Sequence, residues 1–448
     1  MSERTQTRDI STTKSNFGAK GWGILILTFF SILLMSNIIY DSLNVTIPVF
    51  GGMGWNVGLL YMFSTVAAWI SVIGAGVWGA ICGKKTCRLA WTVSLIVCAA
   101  GCLIWSQADN TGSVPVYFVA LAVANIGGMG FAYIASLNVV SNWFPRKKGL
   151  AMGWVTIGFP LSAVIATPLC SALVGGLGLT GIYVMYAVLC LILAILVWIF
   201  VRDYPEEKGA FPDNNPYFDR AEAEAELKAG LEYMKHSPWT TQKLLHTSTV
   251  WKMVISLGVM ELLSLGIMTN FMPRMMQIIH NGAPVFQQGE VVPMLAIAGL
   301  VACVGSVLCG LLDAKVGPKK AIIITYIIAI ISIVLNVTAG KIAEGGDKGT
   351  ATMLFYLSLP FLAIMLGGAA NYLVSLTNTI WGRYDFPAAY RLLKPLVAVV
   401  GAIGITICGG VGNSPAGYGV AYTILGALAL IGLIIMFTVD DTQVGRDL

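Results

Sequence analysis

Long apolar runs alternate with short polar stretches from residue 22 to residue 438. Runs close to the ~20 residues a helix needs to cross a bilayer are read as spans. On that rule the chain predicts twelve, at roughly 22–47, 56–81, 89–106, 114–141, 149–174, 180–201, 250–279, 289–312, 320–340, 350–380, 392–411 and 417–438. Several exceed the minimum and must tilt or protrude. One longer polar segment, 203–249, divides the spans six and six. The predicted organisation is a tail over 1–21, a six-helix half over 22–202, a linker over 203–249, a second six-helix half over 250–438 and a tail over 439–448. Within the linker, the Ala/Glu/Lys-rich stretch Arg220 to Lys235 predicts a surface helix. The first twenty residues are polar and read as disordered, without a cleavable signal pattern.

Composition agrees and removes several function classes. The 448 residues are 57% hydrophobic and 11% charged, whereas soluble domains carry about a quarter charged residues. Fifty glycines suit helices packed closely in lipid. The net charge of +5 comes from basic residues scattered over loops, so no nucleic-acid partner is expected. With both termini cytoplasmic, 24 of the 27 lysines and arginines fall on the cytoplasmic side, which the positive-inside rule requires. Arg274, Lys341 and Lys348 are the exceptions. Nine cysteines lack metal-ligand spacing and read as reduced packing residues, so neither metal nor cofactor is expected. His236, His246 and His280 share no motif, which argues against an enzyme. No Gly-x-x-x-x-Gly-Lys-(Ser/Thr) loop points to ATP-driven transport.

The two halves repeat. Gly310-Leu-Leu-Asp313-Ala-Lys315-Val-Gly317-Pro-Lys319-Lys320 joins spans eight and nine. Gly79-Ala-Ile-Cys82-Gly-Lys84-Lys85-Thr86-Cys87-Arg88 joins spans two and three. Gly310 permits close helix approach, Asp313 is expected to cap a helix start and pair with Lys315, and Gly317 turns the chain. The lysines hold the loop at an anionic membrane face. The first copy keeps its basic charges but has Cys82 where the second has Asp313. Asn142-Trp-Phe-Pro-Arg146-Lys-Lys-Gly149 after span four corresponds in the same way to Trp381-Gly-Arg383-Tyr-Asp-Phe-Pro387 after span ten. Matching loops at matching places indicate parallel repeats about an axis along the membrane normal.

The second copy, Gly-x-x-Asp-x-Lys-x-Gly-x-Lys-Lys, resembles the signature loop of the major facilitator superfamily, and the resemblance covers nearly the whole chain. It implies an all-α membrane protein with twelve helices in two pseudo-symmetric halves, working by alternating access as a monomer in the lipid bilayer. Trp143-Phe-Pro-Arg146-Lys-Lys-Gly-Leu-Ala-Met-Gly153, with Tyr204-Pro-Glu-Glu-Lys-Gly209 and Gly382-Arg383, is similar to the oxalate:formate antiporter and monocarboxylate-carrier branch. The gating loops are then Gly79, Lys84, Lys85, Arg88, Arg146, Gly310, Asp313, Lys315, Gly317, Lys319, Lys320 and Arg383.

A charge at mid-membrane costs about 2.5–3.5 kcal/mol on insertion scales, so each one needs a reason. Glu261 lies near the middle of span seven and reads as a proton-coupling group or a substrate contact. Asn37, Tyr40, Asp41 and Asn44 recur at helical spacing on span one, the symmetry mate of span seven. Tyr133 and Asn138 on span four match Asn371, Tyr372, Ser375 and Asn378 on span ten, as polar groups that orient a substrate in an apolar cavity. Each of these residues is also open to a purely structural reading as an interhelical hydrogen bond or a cap. Arg274 reads as a membrane-end anchor or an attractor at the outer mouth.

The branch resemblance implies basic residues inside spans eight and eleven for a dianion. Gly289 to Leu312 and Pro395 to Val411 carry no basic residue, and Arg391 and Lys394 read as too close to the cytoplasmic loop. A small dicarboxylate is therefore disfavoured. The expected function is secondary transport of a monocarboxylate-type organic anion, proton-coupled or by exchange, across a bacterial or archaeal cytoplasmic membrane. The alternatives are proton antiport of a neutral or cationic metabolite or drug, and a membrane sensor that moves nothing.

Overall fold

The computed structural model describes residues 12–215, 220–412 and 414–445. Among the described residues, eleven segments are long and apolar enough to cross a membrane. The twelfth is hidden in the 65-residue helix Lys348–Gly412, which at ~1.5 Å per residue is about three times the thickness of a bilayer core. Gly382 (φ 68°, ψ −177°) breaks it, in a conformation that residues with a Cβ rarely adopt. Spans ten and eleven are therefore 348–381 and 383–412. Gly178 (φ 67°) divides spans five and six within Thr167–Phe200 in the same way.

The remaining spans are Gly18–Gly52, Val57–Lys84, Cys87–Thr111, Val114–Trp143, Ser248–Thr269, Gln288–Val316, Pro318–Glu344 and Gly417–Phe437. Span seven continues after Asn270 into a short helix, Phe271–Met276. Ile279–His280 then pairs with Ala283–Pro284 in a two-stranded turn.

Small residues set the helix separations, as expected where lipid removes the hydrophobic drive for association. A Cβ on Gly127 of span four would lie 2.6 Å from the Cys98 amide of span three, and one on Gly404 of span eleven 2.1 Å from the Leu262 carbonyl of span seven. Spans one, four and five each contain a π-helical segment, Asn37–Asp41, Met129–Ile134 and Ser162–Ala166. Such wide turns re-aim side chains and cluster at functional sites.

The two halves meet on the face that carries the basic loops. A Cβ on Gly310 would lie 2.6 Å from the Gly149 carbonyl, joining span eight to span five. Its repeat mate Gly79 lies against Arg391, where a Cβ would be 2.6 Å from the arginine Cβ, joining span two to span eleven. Asn378 donates to the Ser141 hydroxyl at 2.7 Å, and the Thr156 hydroxyl donates to Asn371 Oδ1 at 2.5 Å.

The linker contains the expected helix Arg220–Lys235. Gly230 sits against the Tyr384 ring, and Tyr233 and Ser237 donate to Asp385 at 2.9 and 2.5 Å. The expectation of a disordered N-terminus needs correction over 12–17. Thr12 donates to the Ala314 carbonyl at 3.1 Å, Trp154 donates to Ser15 at 3.2 Å, and Phe17 is buried against Trp22 and Phe144. Aromatic packing offsets the ordering cost there. Arg4, Arg8 and Arg446 lie outside the described residues.

Candidate functional site

The centre of the molecule is organised by one acid–base pair. Lys394 Nζ donates to both carboxylate oxygens of Glu261, each at 3.0 Å, with the lysine side chain 6% and the glutamate 17% exposed. Span seven starts at Ser248 and span eleven at Arg383, directly after the Gly382 break. At ~1.5 Å per residue Glu261 is ~20 Å and Lys394 ~17 Å along its helix, so the two charges share a depth. This corrects the expectation that Lys394 lies too near the loop. Arg383 and Arg391 look like loop residues by charge, but Arg383 already belongs to the helix. Span eleven therefore begins nine residues earlier than hydropathy indicates. Gly401 makes the pairing possible, since a Cβ there would meet Glu261 Cγ at 2.8 Å.

Aromatic rings enclose the pair. Lys394 Nζ sits 4.1 Å from the centre of the Tyr133 ring, a cation–π contact, and Tyr133 stacks on Phe159 at 5.8 Å. Tyr133 is on the π-helical turn of span four. Tyr40, Tyr133 and Tyr390 are all electrostatic neighbours of the Glu261 carboxylate. The site thus joins a charged pair from the second half to the phenols of Tyr40 and Tyr133 from the first.

Asp41, on the π-helical turn of span one, accepts from Ser36 Oγ at 3.0 Å and Ser162 Oγ at 2.5 Å. It is held by neutral hydroxyls from spans one and five. Asn37 is buried and accepts from the Tyr186 hydroxyl. The side chain of Asn44 lies outside what is described.

The matched polar groups on spans four and ten separate. Asn138 donates to the Ile134 carbonyl of its own helix at 2.5 Å, and its Oδ1 has no partner among the described residues. Asn371 bridges spans eight and five, donating to the Ser306 carbonyl at 3.0 Å while accepting from Thr156. Tyr372 bonds Thr325 of span nine at 2.8 Å, inside the second half. Ser375 and Asn378 are buried beside the contact between halves.

Arg274 is not at the mouth of the central site. It is 3% exposed, with Nε donating to Asn336 Oδ1 at 3.2 Å. It lies between the end of span seven and spans nine and twelve.

The loop residues occupy the basic face, with two corrections. Asp313 neither caps the start of span nine nor pairs with Lys315, which is exposed. Asp313 is still helical and buried, and faces Gly149, where a Cβ would lie 2.5 Å from its Oδ2. Its negative charge thereby meets the start of span five at Lys148, the favourable end of another helix's dipole. Gly317 turns at φ 84° as expected.

Arg383, expected as a loop gate, is buried in a fork–fork contact with Glu206 at 2.9 and 3.0 Å, flanked by the rings of Tyr204 and Tyr384 at 5.2 and 5.6 Å. In the first repeat, Asp203 caps the start of span three, accepting from the amides of Cys87 and Arg88 at 2.5 and 2.8 Å. Arg88 lies over the Trp198 ring at 4.5 Å, Lys84 and Lys85 are exposed, and so is Lys320. Lys319 reaches Asp441 at 3.5 Å, so an acid following each half's sixth span meets the start of its third. Asp213 accepts from the amides of Arg146 and Lys147, and burial pushes its carboxyl up to about 6. Asp203, Glu206 and Asp213 were missed as functional residues. The Tyr204-Pro-Glu and Pro212-Asp213 stretches of the branch resemblance contain Glu206 and Asp213 and lie next to Asp203, but signal them only by position.

The comparisons with known proteins agree with this architecture. The family model described as Major Facilitator Superfamily matches residues 24–385. The chain belongs to the Major Facilitator Superfamily. It is 25% identical over 189 residues to the oxalate:formate antiporter of Oxalobacter formigenes, covering 42% of this chain and 44% of that protein. It is 23% identical over 209 residues to monocarboxylate transporter 9 of Mus musculus, covering 45% and 40%. These matches span less than half of the relatives' own length. Among solved structures, the proton:xylose symporter XylE superposes with a TM-score of 0.73 at 14% identity, over 94% of this chain and 97% of that one. The human organic anion transporter MFSD10 gives 0.67 at 14% identity, over 94% and 100%. At such identities these two superpositions speak for the fold. The protein is a multi-pass membrane transporter of this superfamily.

Proposed function

We propose that the protein moves a monocarboxylate-type organic anion by alternating access, with Lys394 as the carboxylate-binding cation and Glu261 as its internal competitor. The observation that carries this reading is the Glu261–Lys394 pair at matched depth. A buried lysine without a counter-charge is costly, so in the empty carrier Glu261 supplies one. An incoming carboxylate takes over Lys394, and a proton then neutralises the released Glu261. The occupied site carries no more net charge than the empty one. That matters because the membrane field acts on net charge at ~2.3 kcal/mol per charge per 100 mV.

One central ammonium matches one carboxylate, which supports a monocarboxylate over a dianion. Tyr133, Tyr40 and Tyr390 present an apolar wall with polar tips to the rest of the solute. The relatives named for oxalate:formate antiport and monocarboxylate transport support the same substrate class. Asp41, with its serine hydroxyls, is the second acid on the proton route. The contacts between the halves at Gly79–Arg391, Gly149–Gly310 and Ser141–Asn378 form the cytoplasmic gate. The carrier sits in a bacterial or archaeal cytoplasmic membrane as a monomer, with termini and basic loops in the cytoplasm.

The test is uptake of labelled carboxylates, from formate, lactate and oxalate to bulky aromatic and steroidal acids, into proteoliposomes under an imposed pH gradient. The expected result is gradient-driven accumulation of monocarboxylates by wild type. Lys394→Gln should lower it about thirtyfold or more, and Glu261→Gln should transport without responding to the gradient. Accumulation that survives Lys394→Gln refutes the assignment.

A further inference from the structure

The three basic residues that depart from the charge asymmetry have distinct fates. Lys348 is neutralised by Glu290 at 2.7 Å. Arg274 and Lys341 instead line one cavity of about 350 Å³, on the face opposite the basic loops. The cavity lies between the end of span seven, the end of span nine and the first turn of span twelve, away from the Glu261–Lys394 pair.

Its innermost cation is built in. Arg274 is 3% exposed. Nε and Nη2 donate to Asn336 Oδ1 and to the Asn336 carbonyl at 3.2 and 3.4 Å, and the guanidinium lies 5.1 Å from the Tyr422 ring. Gly340 clears space for it, since a Cβ there would meet Nη2 at 2.3 Å. All these partners are neutral. Among the described residues no carboxylate forms an ion pair with Arg274 within 4 Å, although a buried arginine ordinarily finds one. Glu344, the acid of the cavity, is exposed at its rim, as is Lys341. The first turn of span twelve, Gly417–Val420, adds its amide dipoles to the same wall, and a helix start of this kind favours anions.

We propose that this cavity is an oxyanion site separate from the central one, which takes a phosphate group from a lipid headgroup or a free solute. A forked guanidinium, an ammonium and a helix start together suit a group with several acceptor oxygens. The volume exceeds what a bare phosphate fills, leaving room for a headgroup. Bound there, the anion ties span seven, which carries Glu261, to spans nine and twelve.

The experiment is calorimetric titration of the full chain in an uncharged detergent, once with inorganic phosphate and once with short-chain phosphatidylglycerol. Wild type should bind one equivalent. Lys341→Gln, at an exposed position that leaves folding intact, should weaken binding about tenfold, the effect of one lost charge contact of ~1.4 kcal/mol. Arg274→Lys should weaken it further, and Lys394→Gln should leave it unchanged. Binding of both probes in competition identifies a free-anion source, and binding of the lipid alone identifies a headgroup; either supports the site. Unchanged affinity in Lys341→Gln, loss of binding in Lys394→Gln, or no binding of either probe overturns it.

Discussion

Among the described residues, two buried acid–base pairs differ in their surroundings. Glu206–Arg383 joins the segment after span six to the start of span eleven. It is bidentate, its side chains are 2% and 0% exposed, and tyrosines flank it. Glu261–Lys394 joins spans seven and eleven at mid-depth through a single ammonium, and its acid is 17% exposed. An arginine fork holds both oxygens of its partner in one geometry, whereas a lysine is a point charge on a flexible stem. The first pair is built to persist as a structural tie. On the proposed reading, the second exchanges one carboxylate for another. Location and donor geometry, rather than the presence of opposite charges, separate a tie from a binding site.

The sharpest way to break that contrast is to remove one partner of the tie. Glu206→Gln or Arg383→Gln should destabilise the fold by about 3–5 kcal/mol, the cost of stranding a buried charge, read as a large drop in melting temperature in detergent. The double variant should recover much of that loss. Single variants that melt like wild type would remove the structural role.

Next in size is the exchangeable pair. Lys394→Gln should lower uptake by about thirtyfold or more, on the ~2–5 kcal/mol expected for a lost buried charge contact. Melting temperature should move less than in Arg383→Gln. An equal collapse of stability at both positions would make Lys394 a second structural tie.

A smaller effect is expected at Gly401. The Ala substitution puts a methyl group against Glu261 Cγ, and overpacking of this kind costs about 1–3 kcal/mol. Uptake should fall while the basic face stays intact by hydrogen exchange. A variant with wild-type uptake and gradient response would show that Glu261 need not hold its position.

The smallest effect concerns pH. Burial raises Asp213 from 3.8 to about 6, so the folded state binds its proton more readily than the unfolded chain. Its contribution to stability is complete below the unfolded value and is lost as pH rises through about 6. Burial raises Asp203 in the same direction. The melting temperature should therefore increase from pH 7 to pH 5, and Asp213→Asn should flatten that slope. A slope of opposite sign in wild type would place the titration elsewhere.

The sites differ in how far they could be read from the chain. Glu261 was legible because a charge inside an apolar run is costly wherever its helix goes. Lys394 was not, because its depth depends on where span eleven starts. That start is decided by the left-handed conformation of Gly382, and by Glu206 burying an arginine that hydropathy assigns to a loop. Asp313 was legible as important but was given the wrong partner. Sequence proximity favoured Lys315 and its own helix end, while folding presents Gly149 and the start of span five. Arg274 was legible as an exception to the charge rule, yet its burial among spans seven, nine and twelve was not.

What the sequence alone determined follows from properties additive along the chain. Hydropathy summed over about twenty residues yields the spans, the distribution of lysine and arginine yields an expected sidedness, and the recurrence of Gly-x-x-(Asp/Cys) yields the two halves. What only the tertiary structure decided is which charges meet. Glu261 and Lys394 are 133 positions apart, and Glu206 and Arg383 are 177 apart. Their contact depends on helix rotation and depth, set by glycines that admit one neighbour and exclude others. No local sum along the chain contains those relations.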